Sequence, residues 1–198
     1  DACTPIFRRG APVPHRLIPG LLVAAAIARA ARRGGSLNGS GAVAATVVGA
    51  ACVAAGWGWA ALLILYFVVA VIVSRAGAAD KARRTGGIID KGGARDAAQV
   101  LSNGGLFALL ALLALGATAV DSRIAIVLSG AALGALAASA ADTLATEIGT
   151  LVGGTPRSLI SWREVPPGTS GGVSAAGTLA MIVGAALVAI AARGLALP

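Results

Sequence analysis

Two stretches of the chain place polar and ionisable side chains on one face of a helix within an otherwise hydrophobic sequence. They are residues 95–103 and 139–150. At about 100° per residue, six side chains of the second stretch fall within an arc of about 140°: Ser139, Asp142, Thr143, Thr146, Glu147 and Thr150. Carboxylates are costly in hydrocarbon, so such a face predicts a functional site that points to a bundle interior or its aqueous mouth.

The two carboxylates of this second stretch are candidate metal ligands. Asp142 and Glu147 are hard oxygen donors, which suit Mg²⁺. The alternative is an ion pair between helices, with Arg95 or Lys81 as the cation. That alternative also places the polar stretches next to each other, so it does not exclude a site.

The first stretch has the same one-sided pattern. Five of its side chains lie within an arc of about 120°: Arg95, Asp96, Gln99, Ser102 and Asn103. They are candidates for catalysis and for binding a polar substrate. The alternative is the end of a membrane helix, where the same polar face would cap the helix and pair with its neighbours.

Two connecting segments contribute further candidates for binding phosphate. The connection 153–172 contains Arg157 and a run of small residues whose backbone N–H groups suit an anion at the start of a helix: Gly168, Thr169, Ser170, Gly171 and Gly172. It lacks the Gly-Lys-Ser/Thr ending of a P-loop, and a run of this kind is also common in ordinary loops. In the basic connection 75–91, Lys81 with Arg83 or Arg84 would meet phosphate, unless these charges serve topology alone.

Composition identifies a membrane protein. Of 198 residues, 57% are hydrophobic and only 12% are charged, whereas soluble domains carry about 25% charged residues. The net charge of +8 is therefore expected to set the orientation in the membrane and to attract anionic lipid or phosphate. A nucleic-acid partner is not predicted. Cys3 and Cys52 lie too far apart to suggest a disulfide framework, and the single histidine, His15, leaves no material for a histidine-based triad or zinc site.

The hydrophobic pattern predicts an all-α fold, a polytopic membrane bundle with about six transmembrane helices. The spans are placed at Leu17–Ala31, Ser40–Gly56, Trp57–Ser74, Ala97–Ala119, Ile124–Leu151 and Gly172–Ala192. A basic, proline-containing arm, residues 1–16, precedes a single bundle domain, residues 17–198. The sequence Gly56-Trp57-Gly58-Trp59 predicts a tight turn with both tryptophans at the depth of the membrane–water interface.

The distribution of basic residues predicts the orientation. Eleven Lys and Arg residues fall on the side of the connections between spans one and two, three and four, and five and six, and five fall on the other side. The positive-inside rule then places the polar motif loops in the cytoplasm and both termini on the non-cytoplasmic side. Rows of small residues at four-residue spacing predict close helix packing in lipid: Gly41, Ala45 and Gly49; Gly130, Gly134 and Ala138; Ala176, Ala180 and Gly184.

Five motifs, in this order, carry a family resemblance: residues 36–42 (SLNGSGA), 92–105 (GGARDAAQVLSNGG), 138–149 (ASAADTLATEIG), 156–160 (PRSLI) and 165–174 (VPPGTSGGVS). Together they resemble the integral-membrane family called domain of unknown function 92, or the transmembrane protein 19 family, which includes phytyl-phosphate kinase. The likeness covers roughly residues 17–195. The chain departs from the family pattern at Leu144, where Trp is frequent, at Ser170, where Asn is frequent, and at the valine-rich end of span three.

The resemblance implies a kinase that transfers a phosphoryl group from a nucleoside triphosphate, CTP or ATP, to phytyl or a related prenyl monophosphate, with Mg²⁺ held by Asp142 and Glu147. Catalytic roles would fall to Asp142, Glu147, Asp96 and Arg95. Together with the candidates from the residue pattern, ten residues would contact substrate and nucleotide: Lys81, Gln99, Asn103, Thr143, Arg157, Gly168, Thr169, Ser170, Gly171 and Gly172. The implied partners are a prenyl phosphate lipid and membrane lipid, in a bacterial inner membrane or a photosynthetic membrane.

Two other functions remain open from the sequence. The valine-rich end of span three, residues 68–74, has one hydroxyl, that of Ser74, where the family pattern is serine-rich. This motivates the alternative of an inactive family member that serves as a structural subunit beside other proteins of a larger membrane complex, for example a photosynthetic one. A small transporter that uses the intramembrane carboxylates is the third hypothesis.

Overall fold

The computed structural model describes residues 13–86 and 93–198, and this part of the chain is helical apart from one two-stranded ribbon. Its helices are α1 (Val13–Arg33), α2 (Gly39–Ala55), α3 (Trp57–Arg75), α4 (Ala78–Thr85), α5 (Ala97–Val100), α6 (Leu106–Ala117), α7 (Ser122–Val152) and α8 (Ala175–Gly194). A π-helical turn, Leu101–Gly105, joins α5 to α6, and strands β1 (Arg157–Ser158) and β2 (Gly172–Val173) pair antiparallel. The all-α prediction is confirmed.

Among the described residues, four helices are long and apolar enough to cross a membrane: Trp57–Arg75, Ala97–Ala117, Ser122–Val152 and Ala175–Gly194. They coincide within a few residues with predicted spans three to six. The segments of predicted spans one and two are also helical, as α1 and α2. However, α2 has only 17 residues, at the lower limit of about 17–25 for a span, so the count of six and the sides of the termini stay predictions.

The chain divides into two compact units, which the long helices α3 and α7 both enter. Unit 1 contains Asp1–Ile64, Ala94–Leu136 and Ala189–Pro198, and unit 2 contains Leu65–Gly93 and Ala137–Val188. The predicted terminal arm lies mostly outside the described residues, but α1 already begins at Val13. The single bundle domain remains a prediction.

The predicted turn with its two tryptophans lies in unit 1, between α2 and α3. Gly56 alone, at φ +152°, forms the connection between α2 and α3, and both tryptophans belong to the first turn of α3. Trp57 is exposed, as an interfacial residue would be, but Trp59 is buried against Phe107, with ring centroids 5.6 Å apart. The expected tight turn is present. Trp57 and Trp59 are two residues apart, about 200° around the helix, so their rings face nearly opposite directions, and the interface depth of both stays a prediction.

In unit 2, α7 and α8 approach closely through small residues. A Cβ added at Gly184 would lie 2.7 Å from the carbonyl oxygen of Ala140, and one at Gly149 would lie 3.1 Å from the Cα of Gly177. The predicted packing row that ends at Gly184 therefore does pack. The row of Gly130 and Gly134 does not, since a Cβ there would meet no atom of the described chain within 4 Å. Spacing alone cannot tell which face of a helix has a neighbour.

Candidate functional site

A cavity of about 450 Å³ lies in unit 2 between the second half of α7, the start of α8 and the loop that joins them. Asp142, from α7, lines this cavity together with Gly168, Thr169, Ser170, Gly171 and Gly172 of the loop. One carboxylate and the whole glycine-rich run of the sequence analysis thus border the same space. Residues of separate motifs meet here because the loop folds back onto the helix that precedes it.

Backbone pairing within the loop shapes the wall of the cavity. Residues 156–158 form its centre, since Val165 N donates to Pro156 O (3.0 Å), Ser158 N to Arg163 O (2.9 Å) and Leu159 N to Gly171 O (3.0 Å). Gly168 and Gly171 adopt φ +90° and +75°, a region that side chains with a Cβ rarely occupy. The glycines are therefore required for the turn that presents Thr169 and Ser170.

The cavity contains polar groups that have no partner among the described residues. Asp142 is exposed, and its carboxylate accepts no hydrogen bond and forms no ion pair within residues 13–86 and 93–198. The hydroxyls of Thr146, Ser170 and Thr178 are likewise unpartnered within these ranges. This combination offers one anion, several donors and space for a polar ligand.

The start of α8 closes one end of the cavity. Ser174 caps this helix by accepting a hydrogen bond from Gly177 N (3.1 Å), and both residues line the cavity. The first backbone N–H groups of a helix carry partial positive charge, so this end of the site favours an anion. Asp142 and the α8 N-terminus therefore give the cavity two regions of opposite electrostatic character.

The second predicted carboxylate is used differently. Glu147 Oε2 lies 2.5 Å from Lys81 Nζ, and its Oε1 accepts a hydrogen bond from Ser74 Oγ at 2.6 Å. Lys81 also donates to the carbonyl oxygens of Val73 and Ser74, each at 2.8 Å, and these are among the last carbonyls of α3. All three Lys81 protons are thereby occupied, and the ammonium group caps α3 while tying α4 to α7.

This network shows how the two residues of the predicted metal pair are placed. Asp142 and Glu147 project in directions about 140° apart on α7, and Glu147 is not among the residues that line the cavity. Within the described chain no three His, Cys, Asp or Glu residues form a cluster. Asp142 with the cavity hydroxyls still suits Mg²⁺ that arrives with phosphates, because Mg²⁺ is often bound by one or two carboxylates plus substrate oxygens. Glu147 is engaged by Lys81 and Ser74, and its role as a metal ligand stays a prediction.

Arg84 stands at the edge of the cavity, although the sequence analysis gave it only as one of two options. Its guanidinium packs directly on Gly153, which lines the cavity and has φ +86°. A Cβ at Gly153 would overlap the guanidinium. The sequence could have indicated Arg84 through the short amphipathic segment that carries it, which lies between Gly77 and Gly86. In the structure both glycines adopt left-handed conformations at the ends of α4.

In unit 1, the predicted polar residues of the first stretch build a helix start. Asp96 Oδ1 accepts from Gln99 N (2.9 Å), and Gln99 Oε1 accepts from Asp96 N (3.1 Å), which is a capping box. Arg95 pairs through its backbone with Ser36 and Asn38, each at 3.0 Å. Asn38 itself caps α2 by accepting from Gly41 N at 2.8 Å. The first two motifs of the resemblance thus join the starts of α2 and α5.

The remaining predicted site residues have the following places. Asn103 lies in the π-helical turn of unit 1, a feature often found at functional sites. Thr143 has its hydroxyl 3.1 Å from the Tyr66 hydroxyl, a partner that the sequence analysis missed. Arg157, in β1, is exposed and lies 3.5 Å from Glu164. In this structure these three residues do not line the cavity that contains Asp142.

The helices and the cavity define a polytopic helical membrane protein with a glycine-walled cavity that contains an unpartnered carboxylate. The sequence profile of the integral membrane protein family DUF92 matches residues 22–197. The chain belongs to this family, as the motif resemblance indicated. It is also similar to Protein PGR of Arabidopsis thaliana, with 33% identity over 119 residues, which cover 56% of this chain. The matched region spans only 41% of that relative's length. No solved structure is significantly similar to the chain.

Proposed function

We propose that this chain is a membrane-bound kinase that transfers a phosphoryl group from a nucleoside triphosphate to a prenyl monophosphate, such as phytyl phosphate. The single observation that supports this most is the meeting of an unpartnered carboxylate, Asp142, with the Gly168–Gly172 backbone and three free hydroxyls in one cavity. Phosphoryl transfer depends mainly on positioning and on charge neutralisation, and these groups are suited to both.

The reaction needs little proton chemistry. An oxygen of the prenyl monophosphate attacks the terminal phosphorus, a new P–O bond forms, and the bond to the bridging oxygen breaks so that the nucleoside diphosphate leaves. The second pKa of a phosphate monoester is about 6, so the attacking group is already ionised near neutral pH. No general base is therefore required of the cavity.

Each part of the cavity has a proposed task. The amides of Ser170 and Gly171 and the hydroxyl of Ser170 hold phosphate oxygens, together with the start of α8, whereas the amide and hydroxyl of Thr169 both donate to Pro166 O within the loop. Arg84 adds positive charge at the rim beside Gly153. Mg²⁺, when bound with the nucleotide at Asp142, supplies further neutralisation of phosphate charge. Lys81 and Glu147 act at a distance, because their ion pair positions α4 and hence Arg84.

The test is a transfer assay with the full chain. Purified protein in lipid nanodiscs is incubated with terminally labelled CTP or ATP, Mg²⁺ and prenyl monophosphates of several chain lengths. We expect labelled prenyl diphosphate, formed only when the monophosphate is present. The proposal would be refuted if no diphosphate forms and the folded protein binds neither nucleotide nor prenyl phosphate.

A second candidate is an inactive family member that serves as a structural subunit of a membrane complex. It is favoured by the internal use of Lys81, Glu147, Asp96 and Gln99, which all stabilise helices in this structure. This candidate predicts stoichiometric co-purification with other membrane proteins from native membranes. It also predicts that Asp142→Asn leaves that co-purification unchanged.

A further inference from the structure

The loop between α7 and α8 carries an exposed apolar tip, which consists of Leu159, Ile160 and Trp162. Their exposed fractions are 58%, 96% and 64%. A connecting loop of a water-exposed surface rarely holds three large apolar side chains at one turn without a partner. All three belong to unit 2.

The apolar tip is held in a fixed turn. Trp162 N donates to Ser158 O (2.9 Å), and Ser158 Oγ accepts from Ile160 N (3.3 Å) and Ser161 N (3.4 Å). Trp162 has φ +54°, an uncommon conformation for a residue with a Cβ. The turn therefore presents these side chains outward at the expense of local strain, instead of tucking them against the loop.

From this exposure and this turn we infer that the apolar tip is a membrane-docking element that inserts into the interface of a bilayer with anionic headgroups. Two arginines flank it. Arg157 forms an ion pair with Glu164 at 3.5 Å. Arg163 is exposed and forms no ion pair with the residues described by the structure. An unpaired cation beside Trp and Ile is the composition that favours the boundary between acyl chains and anionic headgroups.

The position of the loop just before α8 supports a membrane as the partner of the tip. Helix α8 has 20 residues, Ala175–Gly194, which is about the number needed to cross the hydrocarbon core. Its first residue must therefore lie near the membrane surface. The strand before it, β2, pairs with β1, and the tip follows β1 directly. The tip is thus connected, through this strand pair, to the segment that leads into α8 at the headgroup region.

A protein partner is less consistent with the size of the surface. Stable protein interfaces bury about 800 Å² on each partner, which is far more than three side chains supply. Insertion into an interface requires no such area, because each apolar side chain gains independently from leaving water. The inference concerns this surface alone and does not depend on the proposed kinase activity.

A fluorescent label reports the environment of the tip. Ile160→Cys is prepared in a Cys3→Ser/Cys52→Ala background, labelled with an environment-sensitive dye and reconstituted in nanodiscs of zwitterionic lipid, with and without anionic lipid. Glu164→Cys in the same background is the matched control, since its side chain lies in the same loop but beside Arg157. Thermal unfolding confirms that both labelled variants are folded.

We expect the dye at residue 160 to be quenched by brominated lipid and protected from iodide, with the opposite pattern at residue 164. Anionic lipid should strengthen the quenching at residue 160, and Arg163→Gln should reduce that gain. Iodide quenching at residue 160 without lipid quenching would overturn the inference. Protection from both quenchers would also overturn it, because the tip would then be covered by protein.

Discussion

Lys81 and Glu147, which are 66 residues apart in the chain, form an ion pair whose Nζ–Oε2 distance is 2.5 Å and whose side chains are 10% and 24% exposed. The pair joins the surface helix α4 to α7, and Lys81 also caps the end of α3. A partly buried pair of this kind is a positioning device, because removal of either partner leaves the other charge in a poor environment.

We therefore expect Lys81→Met to lower stability by about 3 kcal/mol, the lower end of the range for breaking a buried pair. Thermal unfolding in detergent checks this as a drop in the midpoint. Arg83→Met is the matched control on the same helix, because Arg83 is exposed and its pair with Asp80 is a surface contact. The double variant Lys81→Met/Glu147→Met should recover part of the loss. An equal effect of Lys81→Met and Arg83→Met would contradict this account.

Asp142→Asn should reduce phosphoryl transfer by a factor of about 10² or more, the loss typical for one group that stabilises transition-state charge. The unfolding midpoint should not change, since Asp142 has no partner in the described chain. Transfer assays and unfolding curves are compared with those of Asp121→Asn, a carboxylate at the other end of α7 whose capping bond Asn can replace. Full activity of Asp142→Asn would end the assignment of this residue to catalysis.

Arg84→Ala should weaken binding of a phosphate-bearing substrate, because it removes the cation that packs on Gly153 at the cavity rim. The expected effect is a rise in KM of about tenfold with a smaller change in kcat, as for loss of a charge-assisted contact. Arg83→Ala, one residue earlier on α4, removes the same charge where it pairs with Asp80. If the two variants have the same KM, Arg84 has no special role.

Asp96 offers a test between capping and catalysis. Asp96→Ala should lower stability by about 1 kcal/mol through loss of the capping box, whereas Asp96→Ser should retain most of it. Activity of Asp96→Ser separates the two roles: a cap tolerates Ser, but a catalytic carboxylate does not. We expect Asp96→Ser to remain active, measured by the same transfer assay, and its inactivity in a folded protein would restore Asp96 to the catalytic set.

Gly184→Ala should destabilise the protein by about 1–3 kcal/mol, the usual range for overpacking. A Cβ there would lie 2.7 Å from Ala140 O, so α7 and α8 must separate. Gly134→Ala is the control in a membrane helix, since it meets no described atom within 4 Å. Detergent unfolding of both variants measures the difference. Equal midpoints would show that the close approach of α7 and α8 does not limit stability.

Several features follow from the sequence because they are local properties of the chain. Hydrophobicity and length located the helices Trp57–Arg75, Ala97–Ala117, Ser122–Val152 and Ala175–Gly194 within a few residues. The helical period placed Asp142 and Thr146 on one face, and both line the cavity. The order of the motifs also identified the family.

The tertiary structure alone decided which polar groups are available to a ligand. From the sequence, Asp142 and Glu147 are equivalent candidates for metal ligands. In the structure Glu147 is engaged by Lys81 and Ser74, while Asp142 is unpartnered among the described residues. Likewise, Gly184 and Gly134 have the same spacing pattern but only Gly184 meets another helix. The physical reason is that a side chain's availability depends on partners that are distant in sequence, and periodicity within one segment contains no information about them.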